Sequence, residues 1–204
     1  MQRKIVIFLL PIMALMVMAQ QCTSRQEVNI ETLFWMLPSD ALPVYVDVAD
    51  REATEALMLV RDHENGYLEL GGAQSMWEMC YWKLKDGRKL VAVNSLTEQG
   101  SVIRTFIYGK GKLKEESGYK LGGEQMFELE DFVDVSQLEP DLLTRAKEAF
   151  DRGNYHLYYG LPREGTSLKV WLDDYSLLEE YDAIPYEAQK QVVIKWEDEK
   201  WIKQ

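Results

Sequence analysis

Histidines are the first residues to weigh, because an imidazole can transfer protons or bind a metal at neutral pH. The sequence contains two, His63 and His156. His63 stands between Asp62 and Glu64 at the predicted end of a helix, where a solvated imidazole is ordinary. His156 begins a predicted strand among tyrosines. Neither has partner residues in a catalytic or metal-ligand pattern, so we predict no catalytic residue and no metal site at either.

Carboxylates form three acidic clusters, at residues 128–131, 173–174 and 197–199. A calcium loop needs alternating oxygen donors, a glycine at its sharp turn and a distal bidentate glutamate. None of the clusters has that spacing, so the sequence predicts no metal and no cofactor. The two carboxylates of a glycoside hydrolase are close in space rather than in sequence. A small carboxylate-based hydrolase therefore stays open as an alternative function.

Cysteine is the remaining nucleophile to consider, and the sequence has two, Cys22 and Cys80. Cys80 lies in the middle of a predicted core strand, without a basic neighbour in sequence that would activate a thiolate. The two cysteines could pair in an oxidising compartment, but a buried free thiol at Cys80 is the simpler expectation. The sequence also contains no Gly-x-Ser-x-Gly elbow and no glycine-rich phosphate loop. No nucleophilic catalysis is predicted.

A group of aromatic side chains in the second half of the sequence suggests binding rather than catalysis. Its members are Tyr155, Tyr158, Tyr159, Trp171 and Tyr175. On a strand, Lys169 and Trp171 point away from the apolar residues that alternate with them. Aromatic rings with polar tips are frequent in protein interfaces and can stack on sugars. We therefore predict a ligand-binding surface here for a protein or a cell-surface polymer; the alternative is that the rings cover a small core.

A hairpin at residues 77–96 is the element around which the others are predicted to pack. Asp86-Gly87 between two apolar runs predicts a two-residue type I′ turn. That turn sets the register and places Trp82 opposite Val91. Both faces of the hairpin are then largely apolar, as is typical of strands that are covered on two sides. The hairpin is predicted to be core.

The remaining pattern predicts an α+β fold with antiparallel sheets and helices packed on one face. Predicted helices cover residues 30–37, 51–61, 140–152 and 175–181, and predicted strands cover residues 67–70, 102–108, 112–116, 155–159, 167–172, 191–196 and 200–202. The order of elements favours two tandem helix-plus-meander halves, at residues 29–135 and 136–204. A single domain containing both is the alternative.

The N-terminus has the pattern of an export signal. A basic start at Arg3 and Lys4 precedes an apolar run and a cleavage pattern that ends at Ala19. We predict a signal peptide at residues 1–19, a flexible leader at 20–28 and no transmembrane span after cleavage. Lipidation of Cys22 is the further alternative, although Gln21 stands where a lipoprotein signal carries a small residue.

Composition narrows the class of partner. The chain has 204 residues, a hydrophobic fraction of 47% and a formal net charge of −11. The apolar fraction predicts a packed core rather than a disordered chain. The negative charge repels nucleic acid and anionic membranes, so neither is a predicted partner.

Three stretches carry a resemblance to a known group of proteins. They are Leu-Phe-Trp-Met-Leu-Pro-Ser at 33–39, Trp-Lys-Leu-Lys-Asp-Gly at 82–87, and the closing pairs Lys-Trp at 195–196 and 200–201. Over most of its mature length the chain resembles secreted or periplasmic domain-of-unknown-function proteins of Bacteroidales-type bacteria. The resemblance implies an envelope location and a tandem fold similar to β-lactamase-inhibitor-like domains. It offers no catalytic residues to transfer.

The combined expectation is an exported protein of the periplasm or outer-membrane surface that binds a protein or a cell-surface polymer without catalysing a reaction. A carboxylate-based hydrolase and a structural subunit of a surface assembly are the alternatives. The sequence leaves the ligand and the oligomeric state open.

Overall fold

A computed structural model describes residues 28–72, 76–117, 120–123, 127–153, 155–178 and 184–204, without the side chains of residues 174 and 175. The predicted signal peptide and Cys22 lie outside the described residues. Among the residues that are described, no helix is long and apolar enough to cross a membrane.

In the residues that the structure describes, the first part of the chain forms a six-stranded antiparallel sheet, preceded by two short helices. The helices are α1 (Ile30–Phe34) and α2 (Arg51–Ala56), and the strands are β1 (Met58–Asp62), β2 (Tyr67–Leu70), β3 (Trp77–Lys83), β4 (Lys89–Thr97), β5 (Gly100–Gly109) and β6 (Lys112–Glu115). The strands lie in the sheet in chain order, each paired with the next. This is a meander, and β3 and β4 occupy its centre.

The described residues of the second part add three helices and a four-stranded antiparallel sheet. The helices are α3 (Leu129–Phe132), α4 (Pro140–Asp151) and α5 (Asp174–Leu177), and the strands are β7 (Leu157–Gly160), β8 (Leu168–Leu172), β9 (Val192–Glu197) and β10 (Lys200–Lys203). Three-residue 3-10 helices occur at Ser39–Ala41, Val135–Gln137 and Tyr186–Ala188. Two antiparallel sheets with packed helices confirm the predicted α+β class.

The two faces of the central β3–β4 hairpin are buried against different partners. One face, which includes Trp77 and Val91, packs on α1 through an edge-to-face contact of Phe34 with Trp77 at 5.7 Å between ring centroids. The opposite face, which includes Cys80 and Trp82, packs on the inner face of the second sheet and on α4. The side chains of all five residues are 3% exposed or less. The prediction that the hairpin is covered on both sides is confirmed.

A cluster of three tryptophans joins the hairpin to the second sheet. Trp82 meets Trp201 edge-to-face at 5.1 Å between ring centroids, and Trp196 lies 4.5 Å from Trp201. Trp82 Nε1 also donates a hydrogen bond to the Thr166 carbonyl oxygen at 3.0 Å. Each indole removes a large apolar area from water, so this contact contributes strongly to holding the two sheets together.

The predicted register of the hairpin is wrong by one residue. Trp82 pairs with Leu90 rather than with Val91. The cause is the turn: Gly87 N donates to Leu84 O, Leu84 N donates to the Arg88 carbonyl oxygen, and within the loop a positive φ occurs at Gly87 alone. This is a three-residue loop, a type I turn followed by a left-handed glycine, rather than a two-residue type I′ turn. The extra residue puts Trp82 and Val91 on opposite faces.

The predicted helix at residues 51–61 is also wrong in its second half. Asp50 caps α2 by accepting a hydrogen bond from Ala53 N, and the helix ends at Ala56. Residues from Met58 onward pair with β2 instead. The predicted apolar stripe gives α2 little burial, because Ala53 and Ala56 are exposed. Ladder hydrogen bonds to β2 therefore outweigh the helical pattern. The predicted helix at 175–181 is shorter, at Asp174–Leu177, and its remainder lies partly outside the described residues.

Replacing Phe34 tests the cover that α1 gives to the hairpin. We expect Phe34→Ala to lower the free energy of unfolding by about 3–5 kcal/mol, because it removes a fully buried ring and leaves a cavity. Urea denaturation monitored by circular dichroism gives this value. Leu59→Ala, at a side chain that is 67% exposed, should change it by less than about 0.5 kcal/mol. Equal effects of the two substitutions would contradict the burial of the α1 face.

Candidate functional site

An aromatic platform lies on the outer face of the second sheet. Tyr158 on β7 pairs with Trp171 on β8, and their rings are stacked with centroids 5.8 Å apart and an angle of 23° between planes. The alternation of Leu168, Val170 and Leu172, which point inward, leaves Trp171 on the outside, as predicted. Both rings of the platform are half-buried. The stacked pair therefore presents a partly exposed aromatic surface to a partner.

Gly160 gives Trp171 the room to lie along the sheet. It pairs with Lys169, the next outward residue on β8. A Cβ on Gly160 would lie 3.3 Å from Cζ3 of the Trp171 indole, closer than an ordinary contact. The absence of a side chain therefore leaves room for the indole over Gly160, with the exposed Lys169 beside it. The result is a broad ring surface bordered by an ammonium group.

The other end of the platform carries His156 and Asp173. Asp173 N donates to the His156 carbonyl oxygen at 3.0 Å, so the two residues extend the pairing of β7 with β8. Their side chains are 3.8 Å apart between Nδ1 and Oδ2. Ser176 lies close by, but its hydroxyl accepts from His156 N and donates to the Asp173 carbonyl oxygen. The hydroxyl is held by the backbone, so these residues do not form a Ser-His-Asp nucleophile.

The phenol of Tyr158 is neutral at physiological pH, as an ordinary tyrosine is. Burial raises the pKa of Tyr158, and the negative charges of Asp173 and Glu98 raise it further. A neutral phenol can both donate and accept a hydrogen bond. The platform therefore combines an apolar surface with a polar tip.

A cavity of about 530 Å³ opens beside Trp171. Its apolar wall includes Phe132 and Ile184, and Tyr186 stands at its edge with 86% of its surface exposed. Its polar lining comes from Glu187, Gln189, Lys190 and Gln191. The volume is in the range of small-molecule sites, which combine apolar walls with a few polar groups. Trp171 belongs to both the platform and the cavity, so the two form one continuous surface.

The other predicted aromatic residues lie elsewhere. Tyr155 stacks on Phe150 of α4 with ring centroids 4.3 Å apart. Tyr159 points inward, packs against the core between the sheets and has its pKa raised by burial. The side chain of Tyr175 lies outside the described residues. The structure thus brings together Tyr158 and Trp171 from the predicted set. It adds Tyr186 and the cavity glutamines, which no sequence pattern singles out because a loop places them.

A buried carboxylate that the sequence analysis did not single out links the two sheets. Glu78 on β3 is 5% exposed and accepts hydrogen bonds from Tyr67 Oη, Asn94 Nδ2 and Leu161 N at 2.8, 2.8 and 2.9 Å. Asn94 Nδ2 also donates to the Tyr159 carbonyl oxygen at 2.7 Å. Burial raises the pKa of Glu78. The available signal was a glutamate inside an otherwise apolar strand, Trp-Glu-Met-Cys-Tyr-Trp.

The remaining polar residues of the sequence analysis do not assemble into a catalytic group. His63 lies 3.6 Å from Glu31 at a largely exposed position. Glu130 of the first acidic cluster is paired with Lys147 at 2.9 Å, and this contact lowers its pKa. Within the described ranges, no group of three His, Cys, Asp or Glu side chains is placed to hold a metal ion.

Ser117 and Lys120 stand at Ser-x-x-Lys spacing, which the sequence analysis did not single out, and both line a cavity of about 320 Å³. In enzymes that use this motif, the lysine or another base activates the serine as a nucleophile. Ser117 follows β6, and neither residue lies in a helix. The two residues between them lie outside the described part of the chain, so we assign this pair no chemistry.

Cys80 is a buried free thiol. It is 2% exposed, and burial raises its pKa well above the ordinary value, with a further contribution from Glu78. Since thiolate is the reactive form, a thiol in this setting is inert.

Thiol labelling tests this assignment. In a Cys22→Ser background, we expect Cys80 to react with a thiol reagent about 10³-fold or more slowly than in denaturant, because reaction requires opening of the core. Ser39→Cys, at an exposed position, provides a fast-reacting control in the same background. Labelling of Cys80 at the rate of the control would contradict its burial.

The fold is similar to that of a solved structure described as a domain of an uncharacterized protein from Porphyromonas gingivalis W83. The two share 15% sequence identity with a TM-score of 0.61, and the match covers 86% of this chain and 97% of that chain. No family model matches the sequence, and no curated protein is similar to it. At this identity the similarity shows the fold alone. The chain therefore shares its architecture with a domain of an uncharacterised Bacteroidales protein.

Proposed function

We propose that this chain is an exported cell-envelope protein that binds a polysaccharide of the cell surface without catalysing a reaction. The observation that carries the proposal is the stacked pair of Tyr158 and Trp171, which continues into the cavity beside Trp171. Export rests on the basic start, apolar run and cleavage pattern of residues 1–19.

The chemistry of the platform fits a sugar. One face of a pyranose ring presents C–H groups, which pack on an aromatic face, while its hydroxyls need hydrogen-bond partners. Tyr158 and Trp171 supply the flat apolar surface. The cavity supplies amide and carboxylate groups from Gln189, Gln191 and Glu187. An amide both donates to and accepts from hydroxyls, and an ionised carboxylate accepts from them. Two adjoining rings and a cavity favour a ligand of several sugar units.

The rest of the outer sheet face favours a polymer over a protein partner. Lys195 and Glu197 on β9 form an ion pair there, and Lys200 is exposed. The exposed apolar residues on these strands are Val193 and Ile202, which are 36% and 44% exposed. A stable protein interface buries about 800 Å² per partner around an apolar centre. A narrow aromatic strip bordered by charges suits a chain of sugars better.

The alternative of a carboxylate-based hydrolase gains no support from the acidic residues. Glu69 and Glu78 are neighbours across β2 and β3, but they converge on the Tyr67 hydroxyl instead of an open cleft. The carboxylate oxygens of Glu78 are taken up by hydrogen bonds inside the molecule. A glycoside hydrolase needs two carboxylates on either side of a substrate bond. Glu78 cannot reach one.

Truncating the platform tests the proposal. Co-sedimentation with peptidoglycan sacculi, and affinity electrophoresis in lipopolysaccharide and in soluble glucan, measure binding to three polymer types. We expect binding to at least one, with an affinity about tenfold lower for Trp171→Ala and for Tyr158→Ala, because each loses a stacking face worth about 1.4 kcal/mol. Tyr108→Ala on β5 is the matched control, since it truncates a half-buried tyrosine of the first sheet. Failure to bind any of the three, or equal binding by all variants, would contradict the proposal.

The cavity makes a separate prediction for the same ligand. Tyr186→Ala should lower the affinity for the polymer that the wild type binds by about three- to tenfold, because it removes the outer ring of the cavity. Thermal unfolding should stay the same, since Tyr186 is 86% exposed. Val44→Ala, at a fully exposed residue, controls for surface truncation. Unchanged affinity for Tyr186→Ala would confine the ligand to the platform.

A further inference from the structure

A line of three oxygen-bearing side chains runs through the centre of the molecule. Glu78 Oε2 lies 2.8 Å from Tyr67 Oη, and Tyr67 Oη lies 3.3 Å from Glu69 Oε2. Glu69 and Glu78 are direct partners across β2 and β3. The other oxygen of Glu78 accepts hydrogen bonds from Asn94 Nδ2 and Leu161 N. The line therefore ends at a carboxylate that connects the first sheet to the chain after β7.

The hydrogens on this line can be counted. A phenol carries one hydrogen, and an ionised carboxylate carries none. With both glutamates ionised, Tyr67 can donate fully to only one of them, and its lone pairs face the other. With one further proton, one carboxyl donates to Tyr67 and Tyr67 donates to the other carboxylate. Both oxygen–oxygen contacts then hold a hydrogen, and the longer contact to Glu69 is the weaker of the two.

The surrounding charges leave the glutamates without a cation. None of the described residues forms a salt bridge with Glu69 or Glu78, and Arg163, on the loop after β7, pairs with Asp62 at 3.1 Å. On β3, Cys80 is kept neutral by burial, and on β7, Tyr159 has its pKa raised by burial. Asn94 on β4 is uncharged. Burial and the charge of Glu78 also raise the pKa of Tyr67, so this phenol keeps its hydrogen. A second negative charge in this setting lacks compensation.

We infer that Glu78 holds a proton in the folded protein and donates it to Tyr67 while Tyr67 donates to Glu69, so that this line is a proton-dependent clasp between β2 and β3. With the proton bound, the contacts of the line are satisfied and the clasp is closed. As the proton leaves, two carboxylates face one phenol and the clasp loosens.

Backbone groups connect the clasp to the platform. Leu161 N donates to Glu78, and the Tyr159 carbonyl oxygen accepts from Asn94, which itself donates to Glu78. These two backbone groups flank Gly160, over which the Trp171 indole lies. The carboxyl group of Glu78 is therefore tied to the strand that carries Tyr158 and Gly160. This inference concerns protonation and holds whether or not the platform binds a polysaccharide.

Glu78→Gln is the primary test, because its amide reproduces the protonated pattern. The glutamine oxygen can accept from Leu161 and Asn94, and its NH2 can donate to Tyr67. In the wild type, a carboxyl with a raised pKa binds more protons in the folded than in the unfolded state above the ordinary pKa of 4.5. Wild-type stability therefore falls as the pH rises through that window, and the fall ends above the raised pKa.

The melting temperature of Glu78→Gln relative to wild type gives the readout. We expect the two proteins to be close in stability below about pH 4.5 and Glu78→Gln to become progressively more stable as the pH rises. Glu164→Gln, at an exposed glutamate of the loop after β7, should keep a constant difference from wild type. A melting temperature of Glu78→Gln that falls relative to wild type as the pH rises would overturn the inference, since it would mean that Glu78 is an anion in the folded protein.

A second variant and a direct probe keep the inference testable if Glu78→Gln fails to fold. In Glu69→Gln the new amide donates to Tyr67, so Tyr67 and Glu78 no longer need the additional proton. Carboxyl ¹³C NMR should then show the raised titration of the wild type moving to lower pH. A carboxyl titration unaffected by Glu69→Gln would contradict the inference.

Discussion

The structure depends on the burial of one hairpin, β3–β4, on both of its faces. On one side, Trp77, Met79 and Val91 are covered by α1 and the chain that follows it. On the other, Cys80 and Trp82 are covered by the second sheet and α4. A strand with two buried faces cannot rely on solvent for any of its side chains, so every polar group on it needs a partner inside the protein. The hairpin thereby fixes where both layers of the molecule must lie.

This constraint explains the network around Glu78. Its carboxylate faces the second sheet, and it takes its hydrogen bonds from Tyr67 and Asn94 in the first sheet and from the Leu161 amide beyond β7. A buried acid satisfied in this way specifies one arrangement of the two sheets, whereas the tryptophan contacts supply most of the apolar burial. These contacts on the inner side of the second sheet fix the position of β7 and β8, whose outer face carries the platform. The proposed binding platform thus depends on polar contacts in the core.

The alternation of apolar and polar residues, together with the turn residues, was enough to predict the fold class and most of the strands. The inward set Leu168, Val170 and Leu172 could be identified from its period of two, and that period also placed Trp171 outside. The register of the hairpin could not be predicted from the sequence, because Asp-Gly occurs in both two-residue and three-residue loops. Only the backbone hydrogen bonds distinguish the two loops. The strand from Met58 was hidden for a related reason: its ladder with β2 is a tertiary contact that overrides a helical pattern.

Only part of the candidate site could be predicted from the sequence. Tyr158 and Trp171 stand out as aromatic residues on neighbouring strands. Tyr155 and Tyr159 pack inward instead: Tyr159 occupies an inward position of β7, and Tyr155 stacks on a residue of α4. Tyr186 joins Trp171 through a loop. Glu69 and Glu78 are nine residues apart, and the oxygen line that they form with Tyr67 exists because two strands pair in one register. Distances of this kind are set by pairing, not by spacing along the chain.

Amide hydrogen exchange, resolved by strand, tests the two-sided burial of β3–β4 most directly. Amides in the middle of these strands, such as those of Met79, Tyr81 and Val93, should exchange only through global unfolding, with a free energy equal to that from denaturant titration. Amides of the edge strand β6 should exchange through smaller openings. Exchange of the hairpin amides at the rate of β6, well below the global free energy, would contradict the account that the hairpin is sealed between two layers.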